Sequence, residues 1–194
     1  MIPELQPIVD QIATERERFA RFCRSLSDEG LSRAVPHSTW IVKDFISHLA
    51  TIDRSVARWF TSIQSGEGGG SSERQGVAWD VDRFNDRAVA ERRDRSVDEI
   101  LAEAAAERSA LLAVLDRFTA GQVAASIRFG GDAKRPPSDV TLLRYLQGWA
   151  LHDAIHTADM LKALPERRDD PVIAGWMDDP SVQIVVERYQ RAMR

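Results

Sequence analysis

Two apolar stripes at helical spacing run through this chain, and histidine interrupts both. In the first, Ile41, Phe45, Ile52, Val56, Trp59 and Ile63 recur at steps of three, four and seven, and His48 takes a place that another aliphatic side chain would ordinarily fill. In the second, Leu142, Tyr145, Trp149, His152, His156 and Met160 step by three or four throughout. Residues four apart stand over one another on one face of a helix, so His152 and His156 pair vertically. All three imidazoles are therefore expected to face one interior. Taken singly, each reads first as a core histidine bonded to a carbonyl or a tyrosine. Burying one imidazole without a partner costs about 1 to 3 kcal/mol, and three together need a common solution. A shared divalent metal is one, because HxxxH on a helix with a distant third histidine is the ligand set of an open site.

The rest of the chain repeats the helical pattern. Leu5, Ile8, Ile12, Phe19, Phe22 and Leu26 predict a first helix over about 4–26, with Glu15, Arg16, Glu17 and Arg18 mostly outward; Asp28-Glu29-Gly30 ends it. Ser38 or Thr39 caps a second helix running to about Gln64, headed by Trp40 and carrying His48. The glycine-rich stretch Ser65 to Ser72 reads as a flexible loop, and no Gly-Lys-Ser/Thr follows to make it a phosphate loop. A third helical stretch starts near Asp80 and restarts at Ser96, where Ser96 and Glu99 form a capping box; Ile100, Leu101, Ala104, Leu111, Leu112, Leu115 and Phe118 line its inner face. Gly130-Gly131 and Pro136-Pro137 bracket a loop, after which Ser138 or Asp139 caps the HxxxH helix, expected to run to about Leu164. Trp176, Val182, Ile184, Val185 and Tyr189 keep helical rhythm near the end, and no strand pattern competes. The expectation is an all-α protein: a four-helix bundle over 1–165 with a short extra C-terminal helix in an extension, 166–194, packed on the same domain.

Composition narrows the partners. Among 194 residues, 26 basic and 30 acidic side chains are interspersed for a net charge of −4, which offers no footprint for nucleic acid. No run reaches the roughly 18 apolar residues of a membrane span, so no membrane partner is expected. The single Cys23 excludes an internal disulfide framework and reads as a small buried hydrophobe; the start MIPELQPIVDQ lacks a signal pattern, which fits a cytoplasmic protein. Bundles of this kind commonly associate as homodimers.

The segment Ser38-Thr39-Trp40-Ile41-Val42-Lys43-Asp44-Phe45-Ile46-Ser47-His48-Leu49-Ala50 resembles the second-helix signature of the DinB/YfiT-like superfamily, and His152-Asp153-Ala154-Ile155-His156-Thr157-Ala158-Asp159-Met160 resembles its fourth-helix partner. Asp82-Arg83-Phe84-Asn85 and Arg92-Arg93-Asp94-Arg95-Ser96 resemble the branch related to mycothiol-dependent maleylpyruvate isomerases. The resemblance implies a DinB-like four-helix bundle holding a divalent ion, commonly zinc or nickel, on residues corresponding to His48, His152 and His156. It also implies that the metal activates a low-molecular-weight thiol or another nucleophile. Two departures weigh against maleylpyruvate itself as substrate: His152 stands where the isomerases usually carry Glu, and about 30 residues follow Pro165 where they carry a further domain.

Three neutral imidazoles leave a fourth position open on a tetrahedral ion, where a thiol or water loses its proton near neutral pH. Asp44, four residues before His48, is a candidate acceptor for that imidazole, with Asp159 a second; Arg83 and Asn85 are candidates for binding an anionic substrate or thiol cofactor; Tyr145 and Trp149 wall the pocket; His37 is exposed. Two functions fit this pattern. One is a metal-dependent enzyme on a small-molecule substrate, a mycothiol- or bacillithiol-type S-transferase, isomerase or hydrolase. The other is a non-catalytic small-molecule-binding or stress-protective bundle with a structural metal, for which a closed fourth ligand such as Asp44 or Asp153 would speak.

Overall fold

The computed structural model describes residues 1–66, 80–129 and 137–192. Most of the glycine-rich stretch 65–72, and Gly130, Gly131 and Pro136, lie outside these. Helix α1 spans Gln6–Arg24, and the one-turn α2, Asp28–Leu31, follows under the Ser27 cap, whose hydroxyl accepts the Gly30 N–H. An isolated bridge between Ala34 and Ile41 then brings the chain back into α3, Val42–Gln64. Helix α4 is Val81–Ala90, capped by Asp80, and α5 is Val97–Leu115. The short helix α6, Ala120–Ala124, leads to a β-hairpin of β1, Ser126–Phe129, and β2, Ser138–Thr141. Then come α7, Leu142–Trp149, α8, His152–Leu161, a 3-10 turn over Pro165–Arg167, α9, Ala174–Met177, and α10, Pro180–Ala192. Helices α1, α3, α5 and the pair α7 and α8 form the four-helix bundle, with α4 beside α3 and α10 laid on α8.

Several sequence-based expectations change, among them the cap of α3, which is Ile41 and not Ser38 or Thr39. The hairpin is a correction: β1 and β2 are antiparallel, with Ile127 opposite Val140, but four-residue strands are too short to stand out against helical periodicity. It moves the cap of the HxxxH segment from Ser138 or Asp139 to Thr141, whose hydroxyl accepts the Arg144 N–H at 3.2 Å. The segment itself is two helices, because the chain leaves helical geometry at Leu151 (φ −101°, ψ 10°) and the Leu151 N–H takes the Gly148 carbonyl. His152 thus opens α8 with His156 one turn below. Finally, Glu15 and Arg16 are buried, not outward.

The restart at Ser96 is as the spacing predicts. The Ser96 hydroxyl accepts the Glu99 N–H (3.3 Å) while the Glu99 carboxylate accepts the Ser96 N–H (2.7 Å), satisfying two N-terminal donors of α5 reciprocally. Ser96→Ala is expected to remove about 1 kcal/mol. For a chain of this size that lowers Tm by about 2 to 4 °C in a thermal melt.

The core is two apolar clusters stacked along the bundle. One gathers Phe19, Phe22, Phe45, Ile46, Leu49, Ile100, Leu101 and Met160; the other gathers Ile8, Ile12, Val56, Phe60, Leu111, Leu115, Leu142 and Leu146. Between them each bundle helix contributes one buried charge: Arg16 from α1, Asp53 from α3, Arg108 from α5 and Asp153 from α8. Arg16 Nε and Nη2 donate to the two oxygens of Asp153 (2.8 and 3.1 Å), and Arg108 Nε donates to Asp53 Oδ2 (2.6 Å). Crossed bonds join the pairs, from Arg16 to Asp53 (3.4 Å) and from Arg108 to Asp153 (3.3 Å). Two positive and two negative groups leave the layer neutral, the condition under which charges tolerate a low-dielectric interior.

Candidate functional site

Three helical positions, two buried and one half-buried, converge beside this charged layer. His48 comes from α3, and His152 and His156 come from the first and second turns of α8. One ring nitrogen from each lies within 4.8 Å of the other two. The ring centroids are 5.0 Å apart for His48 and His156, 4.7 Å for His152 and His156, and 5.7 Å for His48 and His152. His48 and His156 are buried and His152 is half-buried, so the group is reached from the His152 side. The second stripe is buried as its spacing predicts, at Leu142, Trp149 and Met160, whereas on the first only Phe45 and Val56 are buried and Ile41, Ile52, Trp59 and Ile63 are half-buried at its margin.

The charged layer sets the backbone under these rings. Besides binding Asp153, the residue after His152, Arg16 donates from both terminal nitrogens to the carbonyl of Leu49, the residue after His48 (3.2 Å each). One guanidinium thereby ties together the two helices that bear the histidines. This link was not read from the sequence, although its signal was present: Arg16 lies between Ile12 and Phe19, Asp53 between Leu49 and Val56, and Arg108 between Ala104 and Leu111, each at core spacing.

Burial drives His48 and His152 well below the ordinary histidine range, and the neighbouring His156 pushes both the same way, so both are neutral at pH 7. The Nδ1 atoms of all three histidines are closed to solvent and have no hydrogen-bond partner. Neutral imidazoles that each bring one ring nitrogen within 4.8 Å of the other two are a donor set that a divalent ion takes, and the residues present fit such an ion.

The surrounding polar residues divide. Asp44 does not reach His48; its Oδ2 accepts the Ile41 N–H (3.1 Å) and starts α3. Asp153 is held by the two arginines, so neither carboxylate proposed as a closing ligand is free to serve as one. Asp159 is the carboxylate beside the site, 3.4 Å from His156 Nδ1 but out of hydrogen-bond alignment, and it accepts from Lys162 at 2.6 Å. Burial works to raise its pKa, but His156 and Lys162 hold it below the usual value. Arg83 is exposed on α4, whereas Asn85 is half-buried with its Oδ1 enclosed and unpartnered. Trp149 stacks on His152 at 4.4 Å and 12°, and Tyr145 continues the wall against Trp149 at 6.2 Å; the indole N–H groups of Trp149 and Trp59 are also enclosed without partners. Cys23 is buried away from solvent, where burial raises its thiol pKa, and His37 is exposed at φ 61°. Among the described residues no helix is long and apolar enough to cross a membrane.

Comparison with curated proteins finds no match. Among solved structures the fold is similar to the crystal structure of the mycothiol-dependent maleylpyruvate isomerase, with a TM-score of 0.61 and 11% identity over 82% of this chain and 61% of that one. It is also similar to a histidine-to-alanine mutant of that isomerase, with a TM-score of 0.60, 11% identity and the same coverage. The chain thus spans 61% of the length of the solved enzymes it matches, and at this identity the likeness is one of fold. The family model described as the mycothiol maleylpyruvate isomerase N-terminal domain matches residues 12–160, a stretch that takes in the bundle and all three histidines. The chain belongs to that family, within the DinB-like superfamily.

Proposed function

We propose that this chain binds one divalent metal ion through His48, His152 and His156 and uses it in thiol-dependent chemistry on a small molecule, as a transferase, isomerase or hydrolase. The observation that carries the reading is the convergence of three histidines, two buried and one half-buried, each bringing one ring nitrogen within 4.8 Å of the other two. Zinc and nickel suit three imidazoles. When bound, the ion supplies an open position at which a thiol or water loses its proton near neutral pH. The family and the solved isomerases support mycothiol as the thiol. The chain's own groups bind and orient the ligand. Trp149 packs a flat apolar surface beside His152 and excludes water there, and its enclosed indole N–H, with the Asn85 carbonyl, supplies unpartnered polar contacts. Arg83, exposed on the same helix as Asn85, supplies positive charge for an anionic substrate or thiol. We further take the chain as one bundle domain over 1–165 with its extension, acting in the cytoplasm, and as a homodimer.

Elemental analysis of protein purified without an affinity tag tests the metal. Close to one zinc or nickel per chain is expected in the wild type and none in His48→Ala or His152→Ala, with helical circular dichroism retained in both. Wild type that folds but takes up neither ion on titration would overturn the reading and leave a binding bundle as the better account. Cobalt-loaded protein is then expected to develop a sulfur-to-metal charge-transfer band with mycothiol; binding of metal without that band would leave a structural metal site.

A further inference from the structure

Each histidine of the site touches an aromatic ring. Trp149 stacks on His152, Trp40 lies 5.3 Å from His48, and Phe45 lies 5.6 Å from His156. His156 has a second such neighbour in Tyr189, whose ring stands nearly perpendicular to it at 5.8 Å and 79°. The other three rings belong to the segment that the family model matches, residues 12–160, whereas Tyr189 is carried by α10, beyond it. Helix α10 is seated on the bundle core by Val182, which is buried, and by Val185 and Val186 packed against the same cluster.

We infer that Tyr189 is a positioning residue for His156, so that α10, an element outside the family-matched segment, completes the metal site. The inference rests on the metal reading above. A ligating imidazole needs a fixed ring orientation, usually supplied by a hydrogen bond to its second nitrogen. At His156 the Nδ1 faces the Asp159 carboxylate, 3.4 Å away and out of hydrogen-bond alignment, so that contact alone holds the ring loosely. Its orientation therefore falls to the rings beside it, and the edge-to-face arrangement with Tyr189 is the preferred geometry for such a pair. Tyr189 is half-buried, while Phe45 is buried, so Tyr189 is the ring at the outer side of His156.

Cobalt(II) titration of the full chain, read by the visible d–d bands, tests this without any assay of activity. Tyr189→Phe keeps the ring and is expected to match wild type in affinity and band shape. Tyr189→Ala, and Tyr189→Leu, which keeps a branched apolar side chain under α10 without the ring, are expected to bind cobalt about tenfold more weakly with displaced bands, while circular dichroism stays unchanged. Tyr189→Leu that matches wild type in affinity and bands overturns the inference and leaves the three-histidine site standing. A tenfold loss in Tyr189→Phe also overturns it, since the ring is intact there. Wild type that takes up no cobalt overturns the metal reading and this inference with it.

Discussion

Asp53→Ala is expected to remove about 3 to 5 kcal/mol of unfolding free energy, the cost of breaking a buried ion pair from one side. Asp53 is fully buried, and its Oδ2 accepts from Arg108 at 2.6 Å and Arg16 at 3.4 Å. Its loss leaves two guanidinium groups sharing Asp153 in an interior where an uncompensated charge is far more costly than a missing contact. Because domains of this size are stable by only about 5 to 15 kcal/mol, the variant would lose a large part of its total stability. Urea unfolding measures it: the midpoint should fall sharply while the slope stays near the wild-type value. Replacing Arg16, Asp53, Arg108 and Asp153 together by apolar residues of similar volume should cost little or even stabilise, because no charge is then left unpaired. Breaking the layer is thus expected to be costlier than removing it. A loss under about 1 kcal/mol for Asp53→Ala would show that water or rearrangement satisfies the arginines.

The same layer marks the boundary of what could be read from the chain. Helices α3 and α5 were legible because their apolar positions recur at core spacing; the start of α5 was also legible from the Ser96 and Glu99 box, whereas α3 starts at Val42 and not under Ser38 or Thr39. The histidine group was legible because an imidazole in place of an aliphatic residue is visible without knowing what it meets. The Arg16 pairing was not legible, because its partners are 37 and 137 residues away in sequence and a charged side chain on a helix is ordinarily solvated. Likewise Asp44 sits one turn before His48, where spacing suits a second-sphere acceptor; its oxygen instead meets the nearer unpaired donor, the Ile41 N–H that opens α3. Tyr189 belonged to a recognisable helical rhythm, but its meeting with His156 depends on how α10 crosses α8, a tertiary fact that periodicity does not carry.

Acid is expected to destabilise the metal-free protein well before its carboxylates titrate. His48 and His152 have folded-state pKa values well below the ordinary 6.5 because burial disfavours their charged forms. The unfolded chain therefore takes up two protons near pH 6.5 that the folded chain refuses, and stability rises with pH wherever the unfolded state binds more protons. The full contribution is present above pH 6.5 and is lost progressively as pH falls below it, by about 1.4 kcal/mol per pH unit for each histidine until the folded value is reached. Burial holds Glu15 and Asp53 above the usual carboxylate values, and such groups act in the opposite sense because they protonate first in the folded state. Measuring urea midpoints in chelator across pH 7.5 to 5.5, where the histidine effect is centred, should give a falling profile for wild type. His48→Gln with His152→Gln should give a flatter one. A wild-type profile as flat as that of the double variant would mean that the folded imidazoles accept protons as readily as free ones, which a dry cluster of three unpartnered rings does not allow.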